Sequence, residues 1–426
     1  MRHGLLLFAI LAAGCGESSS APATTTTSSD PTCAAPSVDV PAESGYPNRA
    51  LIERRARELV TRDVDAHACL VRVVVRRERM LVEASHQGRT IRAWLAGSAG
   101  TPTESLAPHV AAHQLLRTLL DAGVESVVSN GRGVALGFAD HGVVCYRAVG
   151  RDPDCVRTTS VFAFDTVTEP SARLLVVRSL SDPSTTNGAE WELAFGDATT
   201  LAIRSGALQS SRPIGTPPPE LDRFARVHAS TSEAGTVARE QAAQPLAQAM
   251  PIGATTVRLE TRTVGTTRVV LLSRCEGMIA HCVSVVATGQ GATWAVAPSF
   301  ATDPARIDTA QDASALAPGA LRVRIREAGF HEASTSELFV VMAGSDLSAH
   351  EIALGGETAR GDEETITEGC YRTLSIEAPS RVRLSDAQGW SGSHSEARGW
   401  NVVTSHTCAP EVVLCLDPAS GFGPCT

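Results

Sequence analysis

Short runs of β-branched and other apolar residues, separated by polar turns, recur along most of this 426-residue chain. In the first third they occupy residues 70–75, 80–84 and 90–95, and each has the length of a typical strand. Asn130-Gly131 lies between two further runs, which is a strong hairpin signal. This pattern predicts a fold dominated by strands.

Two stretches have the periodicity of amphipathic helices. Asn48 is a favourable N-cap for the first, in which Glu53 and Arg57 form an i,i+4 pair. The second is predicted at about 105–121 and is stopped by Gly123. Together with the strands, these helices predict an α+β fold class.

Composition divides the chain into segments. Residues 48–212 are predicted to form an α+β domain with a β-rich second part, and residues 251–426 a β-rich, sandwich-like region. Residues 213–250, rich in proline and alanine, are predicted to be a linker that carries helix. The low-complexity stretch 313–320 is expected to divide the second region into two units. Because each half is long enough to bury its own core, we expect the halves to fold separately.

The first 15 residues combine a basic start, a short apolar core and the motif Leu11-Ala12-Ala13-Gly14-Cys15. This segment resembles the lipobox signal of bacterial lipoproteins. The resemblance implies that residues 1–14 are removed as a signal peptide and that Cys15 is acylated. Gly16 then follows the acylated cysteine in place of an aspartate, which implies sorting to the outer membrane. Residues 15–47 lack large apolar side chains and are predicted to be a disordered tether.

Ten cysteines remain when Cys15 is set aside. In an oxidising cell envelope an even number indicates disulfides. A metal site is less favoured, because no Cys-x-x-Cys pair is present. Spacing alone does not fix the connectivity, but it favours five pairs. These are Cys33–Cys69, Cys145–Cys155, Cys275–Cys282, Cys370–Cys408 and Cys415–Cys425.

The chain contains no lysine, so all 37 of its basic residues are arginine. It therefore cannot carry a Walker A loop, a pyridoxal-phosphate Schiff base or a Ser-Lys dyad. The formal net charge of −9 argues against nucleic acid as a partner. The bias towards arginine suggests a GC-rich bacterial genome.

Charge is spread unevenly along the chain. Residues 49–100 contain eleven arginines and six acidic residues, whereas residues 320–426 contain eight arginines and fifteen acidic residues. One interpretation is a basic face that meets anionic lipid headgroups or an envelope polymer. The simpler one is that Arg72, Arg76 and Arg77 point outward from a strand into solvent.

His109 and His113 lie four residues apart on one helix face, the spacing of two ligands to one metal ion. The glutamate of zinc peptidases is missing, and both histidines fall on the apolar stripe of the helix. We therefore interpret them as structural, half-buried histidines and assign no metal.

Three other motifs resemble functional sites without meeting their requirements. Gly131-Arg132-Gly133 with Gly137 has the wrong spacing for a dinucleotide loop and precedes a strand. Gly389-Trp390-Ser391-Gly392-Ser393-His394 brings serines beside a histidine but is not a nucleophile elbow, so a surface loop is expected. Asp362-Glu363-Glu364 lacks the alternating ligand spacing of a calcium loop and is expected to be a solvated turn.

The stretches Gly369-Cys370-Tyr371-Arg372 and Arg383-Leu384-Ser385-Asp386-Ala387-Gln388-Gly389 resemble β-sandwich modules appended to secreted bacterial proteins, such as pre-peptidase C-terminal domains. The resemblance implies a jelly-roll-like accessory domain. It covers too few positions to carry over any binding residue.

The sequence therefore predicts a lipid-anchored protein of the cell envelope with a non-catalytic binding or scaffolding role. Its partners would be the membrane, through the anchor, and an envelope protein or polymer. An envelope hydrolase with an unrecognised site is the alternative, and a transport or assembly accessory is a third possibility. We assign no catalytic residue and no cofactor. A pocket in which a histidine, a serine and a carboxylate converge would favour the hydrolase.

Overall fold

The structure is a computed structural model, and it describes part of the chain. The described residues are 33–40, 48–76, 79–98, 101–102, 104–129, 133–138, 143–148, 154–157, 162–168, 174–179, 190–195, 201–205, 244–277, 281–290, 293–328, 332–343, 346–360, 365–395, 399–418 and 421–425. The predicted signal peptide, Cys15 and most of the predicted tether lie outside these ranges.

The described residues form a strand-dominated α+β fold, as the sequence predicts. The helices are α1 (Arg49–Asp63), α2 (Ala107–Asp121) and a short α3 at residues 244–249. The strands of the first half are β1 (Ser37–Asp39), β2 (Cys69–Arg76), β3 (Arg79–His86), β4 (Arg89–Ser98), β5 (Thr101–Pro102), β6 (Ser126–Ser129), β7 (Gly133–Phe138), β8 (Val143–Ala148), β9 (Asp154–Arg157), β10 (Phe162–Thr168), β11 (Leu174–Ser179), β12 (Glu190–Phe195) and β13 (Leu201–Ser205). The strands of the second half are β14 (Thr255–Val264), β15 (Thr267–Glu276), β16 (His281–Gln290), β17 (Thr293–Val296), β18 (Phe300–Thr302), β19 (Ala305–Asp312), β20 (Leu321–Ala328), β21 (Glu332–Ala343), β22 (Asp346–Arg360), β23 (Thr365–Tyr371), β24 (Leu374–Ala378), β25 (Arg381–Leu384), β26 (Ala387–Ser395), β27 (Gly399–Ala409), β28 (Val412–Asp417) and β29 (Gly421–Pro424).

The first sheet has the order β1-β2-β3-β4-β5 and packs one face against α1. Helix α1 begins as predicted, because the Asn48 side chain accepts a hydrogen bond from the Ala50 N–H at 2.8 Å. The predicted pair of Glu53 and Arg57 is present at 2.8 Å. Strands β2, β3 and β4 contain the three predicted strands and confirm them.

The second sheet joins the two halves of the chain. Its order is β17-β16-β15-β14-β6-β7-β8-β9, with β18 also paired to β16. Strand β14 pairs antiparallel with β6, placing Leu259 opposite Val127. Helix α2 covers this sheet, so that Leu116 and Leu272 share one core.

The expectation that residues 48–212 and 251–426 fold separately is therefore wrong. Strands β14, β15 and β16 of the second half bury their apolar face against α2 and share a core with β6 and β7, all from the first half. The burial of these strands therefore requires both halves of the chain. Most of the predicted linker at 213–250 lies outside the described residues, and its boundaries remain a prediction.

The C-terminal region is sandwich-like, as predicted. A seven-stranded sheet of order β19-β20-β21-β22-β23-β26-β27 shares a core with a four-stranded sheet of order β24-β25-β28-β29. The stretch 313–320 does not divide this region. It connects β19 with β20, which pair with each other, and its Leu316 is buried in the shared core.

A further four-stranded sheet consists of β10 to β13, in that order.

Four of the five predicted disulfides are present among the described side chains: Cys33–Cys69, Cys275–Cys282, Cys370–Cys408 and Cys415–Cys425. Cys145 faces Cys155 in the register of β8 and β9, but their side chains are not among those described, so this pair remains a prediction. Within the described residues, no helix is long and apolar enough to cross a membrane.

Candidate functional site

An open cleft of about 970 Å³ lies where the first sheet, strand β18, the β21–β22 hairpin and the β28–β29 hairpin meet. Its volume falls in the range of small-ligand sites, and clefts between structural units are common places for them. Its lining side chains include Arg76, Arg79, Trp94, Phe300, Glu351 and Phe422.

The first wall is the face of the first sheet that points away from α1. Side chains of a strand alternate between faces, and Arg76, Arg79 and Ala96 stand opposite one another across β2, β3 and β4. Arg76 is held by Asp39 at 2.7 Å. The structure thus places Arg76 at the cleft, whereas Arg77 lies outside the described residues.

Arg79 lies over an aromatic ring in this wall. Its guanidinium carbon is 4.7 Å from the centre of the Trp94 ring, a distance at which a cation–π attraction operates. Desolvation lowers the pKa of Arg79, and the Glu351 carboxylate opposes that shift. Since an arginine stays charged in proteins, its N–H groups are presented to the cleft as fixed cationic donors.

The second wall is the β21–β22 hairpin of the seven-stranded sheet. Glu327 and Glu351 lie on the same face of this sheet, and their carboxylates repel each other. Burial, together with the carboxylates of Glu351 and Asp303, raises the pKa of Glu327 to about 7, although a hydrogen bond from Ser334 at 3.2 Å opposes this. Glu351 is the member that lines the cleft. Its negative charge faces the cationic wall of Arg79.

The third wall is a strand edge. Strand β29 is the outermost strand of its sheet, and Leu416 of β28 faces Phe422 in the register. The Leu416 N–H donates to Ser380 on the other side of β28 at 2.7 Å. Leu416 and Phe422 are therefore a non-hydrogen-bonded pair, and Phe422 directs its own N–H and C=O to the outer edge. Pro424, the next edge position, has no N–H to offer.

The Phe422 side chain is anchored from behind. Its ring makes an edge contact with the buried Phe339 at 5.1 Å between ring centres. Nearby, His350 Nε2 donates to the Pro418 carbonyl at 3.0 Å, and burial lowers the pKa of His350. Gly421, at φ +95°, leaves room for this ring, because a Cβ there would lie 3.0 Å from His350 Nδ1.

The floor of the cleft is formed by Phe300 and Ala301 of β18, and the preceding residue, Ser299, is hydrogen-bonded to β4 of the first sheet. Its N–H donates to the Arg92 carbonyl and its carbonyl accepts from the Trp94 N–H, both at 2.8 Å. This short bridge to β4 positions the following residue, Phe300, in the cleft.

Behind this floor a glutamate, a histidine and a serine form a row that the sequence did not reveal. His109 Nδ1 lies 2.9 Å from Ser299 Oγ, and His109 Nε2 lies 4.0 Å from Glu104 Oε2. The Ser299 hydroxyl donates to the Arg92 carbonyl at 3.1 Å, and the same carbonyl accepts from the Ser299 N–H and from His113 Nε2. His109 Nδ1 therefore donates to Ser299 Oγ, so the ring does not act as a base towards this hydroxyl. Glu104 accepts a hydrogen bond from the Ala96 N–H at 2.9 Å.

The burial of His109 and Ser299 and the neutral state of the histidine indicate a structural role for this row and not a catalytic one. Ser299 is 0 % exposed and His109 is 2 % exposed, so a substrate carbonyl cannot reach the hydroxyl. Burial lowers the pKa of both His109 and His113 to about 4, which keeps them neutral at neutral pH. The sequence interpretation of these two histidines as structural is in agreement with their packing between the first two sheets.

The motif at 389–394 is not a surface loop, and that expectation was wrong. It lies in β26, paired on both sides with β23 and β27. Gly389 reflects close packing, because a Cβ there would collide with Cys408 Sγ. In the neighbouring β23, Gly369 makes room for Trp390, since a Cβ on Gly369 would lie 2.5 Å from Trp390 Nε1. Ser391 shares a 2.7 Å hydrogen bond with Thr404, while the His394 side chain is not among those described.

Asp362-Glu363-Glu364 and Gly131-Arg132 lie outside the described residues, and Gly133 begins β7. No group of three or more His, Cys, Asp or Glu side chains in the described part of the chain could hold a metal ion. No protein-family model matches the chain, and no curated protein is detectably similar to it.

Proposed function

We propose that this protein is a lipid-anchored binding protein of the bacterial cell envelope, and that its cleft takes an extended, acidic peptide segment of a partner. The anchor is supported by the lipobox-like segment that ends at Cys15. The binding role is supported by the cleft, and above all by the stacking of Arg79 on Trp94 beside an open strand edge.

The chemistry of the walls favours a peptide over a sugar. One face of the Trp94 ring is already covered by Arg79, which reduces its use as a stacking platform for a sugar. The outer edge of β29 offers the N–H and C=O of Phe422, which are the groups that an added strand needs. The guanidinium group of Arg79 is suited to a carboxylate, whereas that of Arg76 is already paired with Asp39.

Selection of a random heptapeptide phage library on the immobilised protein tests this proposal. We expect enrichment of sequences that contain Asp or Glu, with dissociation constants of about 1–100 μM. Binding of the enriched peptides should fall at least about tenfold in an Arg79→Ala variant, since a charge-assisted hydrogen bond is lost.

Arg54→Ala is the matched control, because Arg54 lies on α1, behind the opposite face of the first sheet, and its side chain is 70 % exposed. Enrichment of basic peptides, or equal loss of binding in both variants, would contradict the proposal.

The alternative, an envelope hydrolase, rests on the row of Glu104, His109 and Ser299. A fluorophosphonate probe distinguishes the two functions, since it labels activated serines. We expect no labelling of the folded protein. Labelling that disappears in a Ser299→Ala variant would favour the hydrolase.

A further inference from the structure

A second, smaller cavity of about 170 Å³ lies beside α2, where the turn between β3 and β4 meets that helix. It shares no lining residue with the cleft. In this turn Gln87 has φ +50° and Gly88 has φ +73°. Positive φ angles at both central residues are typical of a two-residue hairpin turn of type I′. The polar side chains that line the cavity are His86, Gln87, Arg89, His113, Gln114 and Arg117.

The cavity gathers positive charge. Repulsion from Arg89 and Arg92 contributes to lowering the pKa of Arg117, after desolvation as the larger cause, and Asp121 only partly offsets it. Arg117 is fixed in place by donating to the Thr90 carbonyl at 2.9 Å. An anion between Arg89 and Arg117 would relieve this repulsion.

His113 adds a second, independent observation. The imidazole is 3 % exposed and lines the cavity, and its Nδ1 has no hydrogen-bond partner. Because Nε2 donates to the Arg92 carbonyl at 2.7 Å, Nδ1 of the neutral ring carries a lone pair and can only accept. The ideal occupant therefore has negative oxygens for the guanidinium groups and also one O–H donor for Nδ1.

We propose that this cavity binds a phosphate monoester group in its monoprotonated form. Its P–OH donates to His113 Nδ1, and its charged oxygens accept from Arg89, Arg117 and the side-chain amides of Gln87 and Gln114. A volume of about 170 Å³ suits such a group and is well below the range for a whole drug-sized ligand. The Asp65 carboxylate lies 3.9 Å from the His86 ring and not against the arginines. It therefore does not compete with the anion for Arg89 and Arg117.

The same group could arrive as free phosphate or as the headgroup of a phosphatidic acid. Titration calorimetry with inorganic phosphate tests the first source, near pH 6, where most of the free phosphate is the monoanion and carries the required P–OH donor. Vesicles that contain phosphatidic acid test the second, using the Cys15→Ser chain so that the anchor does not hold them. Binding in either arm, at about 1 mM or tighter for free phosphate, supports the proposal and identifies the source.

Three comparisons make the outcome decisive. Arg89→Gln should weaken binding by about tenfold, while Arg54→Gln on the exposed face of α1 should not change it. Sulfate, which has no proton to donate at this pH, should bind more weakly than phosphate. His113→Gln keeps a donor for the Arg92 carbonyl and should remove the preference for phosphate over sulfate.

Absence of binding in both arms would overturn the proposal. So would equal affinity for sulfate and phosphate in the unsubstituted chain, or equal loss in the Arg89 and Arg54 variants. None of these results depends on whether the cleft binds peptides.

Discussion

The guanidinium of Arg79 stacks on the indole of Trp94, and this pair defines the cationic wall of the cleft. Arg79 and Trp94 lie on neighbouring strands, yet the Glu351 carboxylate across the cleft comes from β22, more than 250 residues later in the chain. The relationship predicts a measurable coupling between two surface positions.

A double-mutant cycle of Arg79→Gln and Trp94→Leu should give a coupling of about 0.5–1 kcal/mol in the free energy of unfolding, because the cation–π contact exists only when both residues are present. Denaturant titration of the four proteins measures it. Additive effects of the two substitutions would show that the stacked geometry does not persist in solution.

The buried histidines predict an acid-sensitive fold. In the unfolded chain their pKa is near 6.5, and burial lowers it to about 4 in the folded protein, so the unfolded state binds more protons between these values. Stability is therefore complete above pH 6.5 and falls as the pH drops towards 4, by about 3 kcal/mol for one histidine with this shift.

Urea titrations across this pH range check that prediction. The double variant His109→Asn, His113→Gln keeps side-chain nitrogens near both hydrogen-bond partners but cannot titrate, so its stability should vary much less between pH 4 and 6.5. A double variant with the same pH dependence as the parent protein would rule out this origin.

Glu327 predicts the opposite pH dependence. Its pKa is raised from 4.5 to about 7, so the folded state binds the extra proton and loses stability as the pH rises between these values. Glu327→Gln removes the cost of ionisation, and we expect it to raise the melting temperature at pH 8 but not at pH 4. The exposed Glu368→Gln is the control and should show no such gain at pH 8.

Membrane association should depend on a single sulfur atom. Cys15→Ser removes the acylated position implied by the lipobox resemblance and should move the protein from the membrane fraction to the soluble fraction. Ser18→Ala, in the adjacent polar segment, should leave the distribution unchanged. Membrane retention of the Cys15→Ser chain would refute the anchor.

Local features of the fold could be predicted from sequence because their causes are local. Asn48 caps α1 through a neighbouring backbone N–H, and the apolar runs of β2, β3 and β4 supply the side chains that pack with α1 in one core. Disulfides such as Cys275–Cys282 could be predicted from close spacing together with the expectation of an oxidising compartment.

Pairing between distant segments could not be predicted in the same way. Nothing local in β6 or β14 specifies that they pair, and this one contact makes a single unit of two predicted ones. A glycine in this stretch has two opposite meanings, loop freedom or close packing, and at Gly389 only the contact with the distant Cys408 decides between them. The cleft escaped prediction for the same reason, since Arg79, Glu351 and Phe422 are far apart in sequence.

The most direct measurement of the binding role is amide hydrogen exchange at Phe422, with and without an acidic peptide obtained by selection. An added strand at the edge of β29 must accept a hydrogen bond from the Phe422 N–H, so its exchange should slow on binding, and the Arg79→Ala variant should lose this protection. If the peptide binds while exchange at Phe422 stays unchanged and protection appears elsewhere, the cleft is not the binding site.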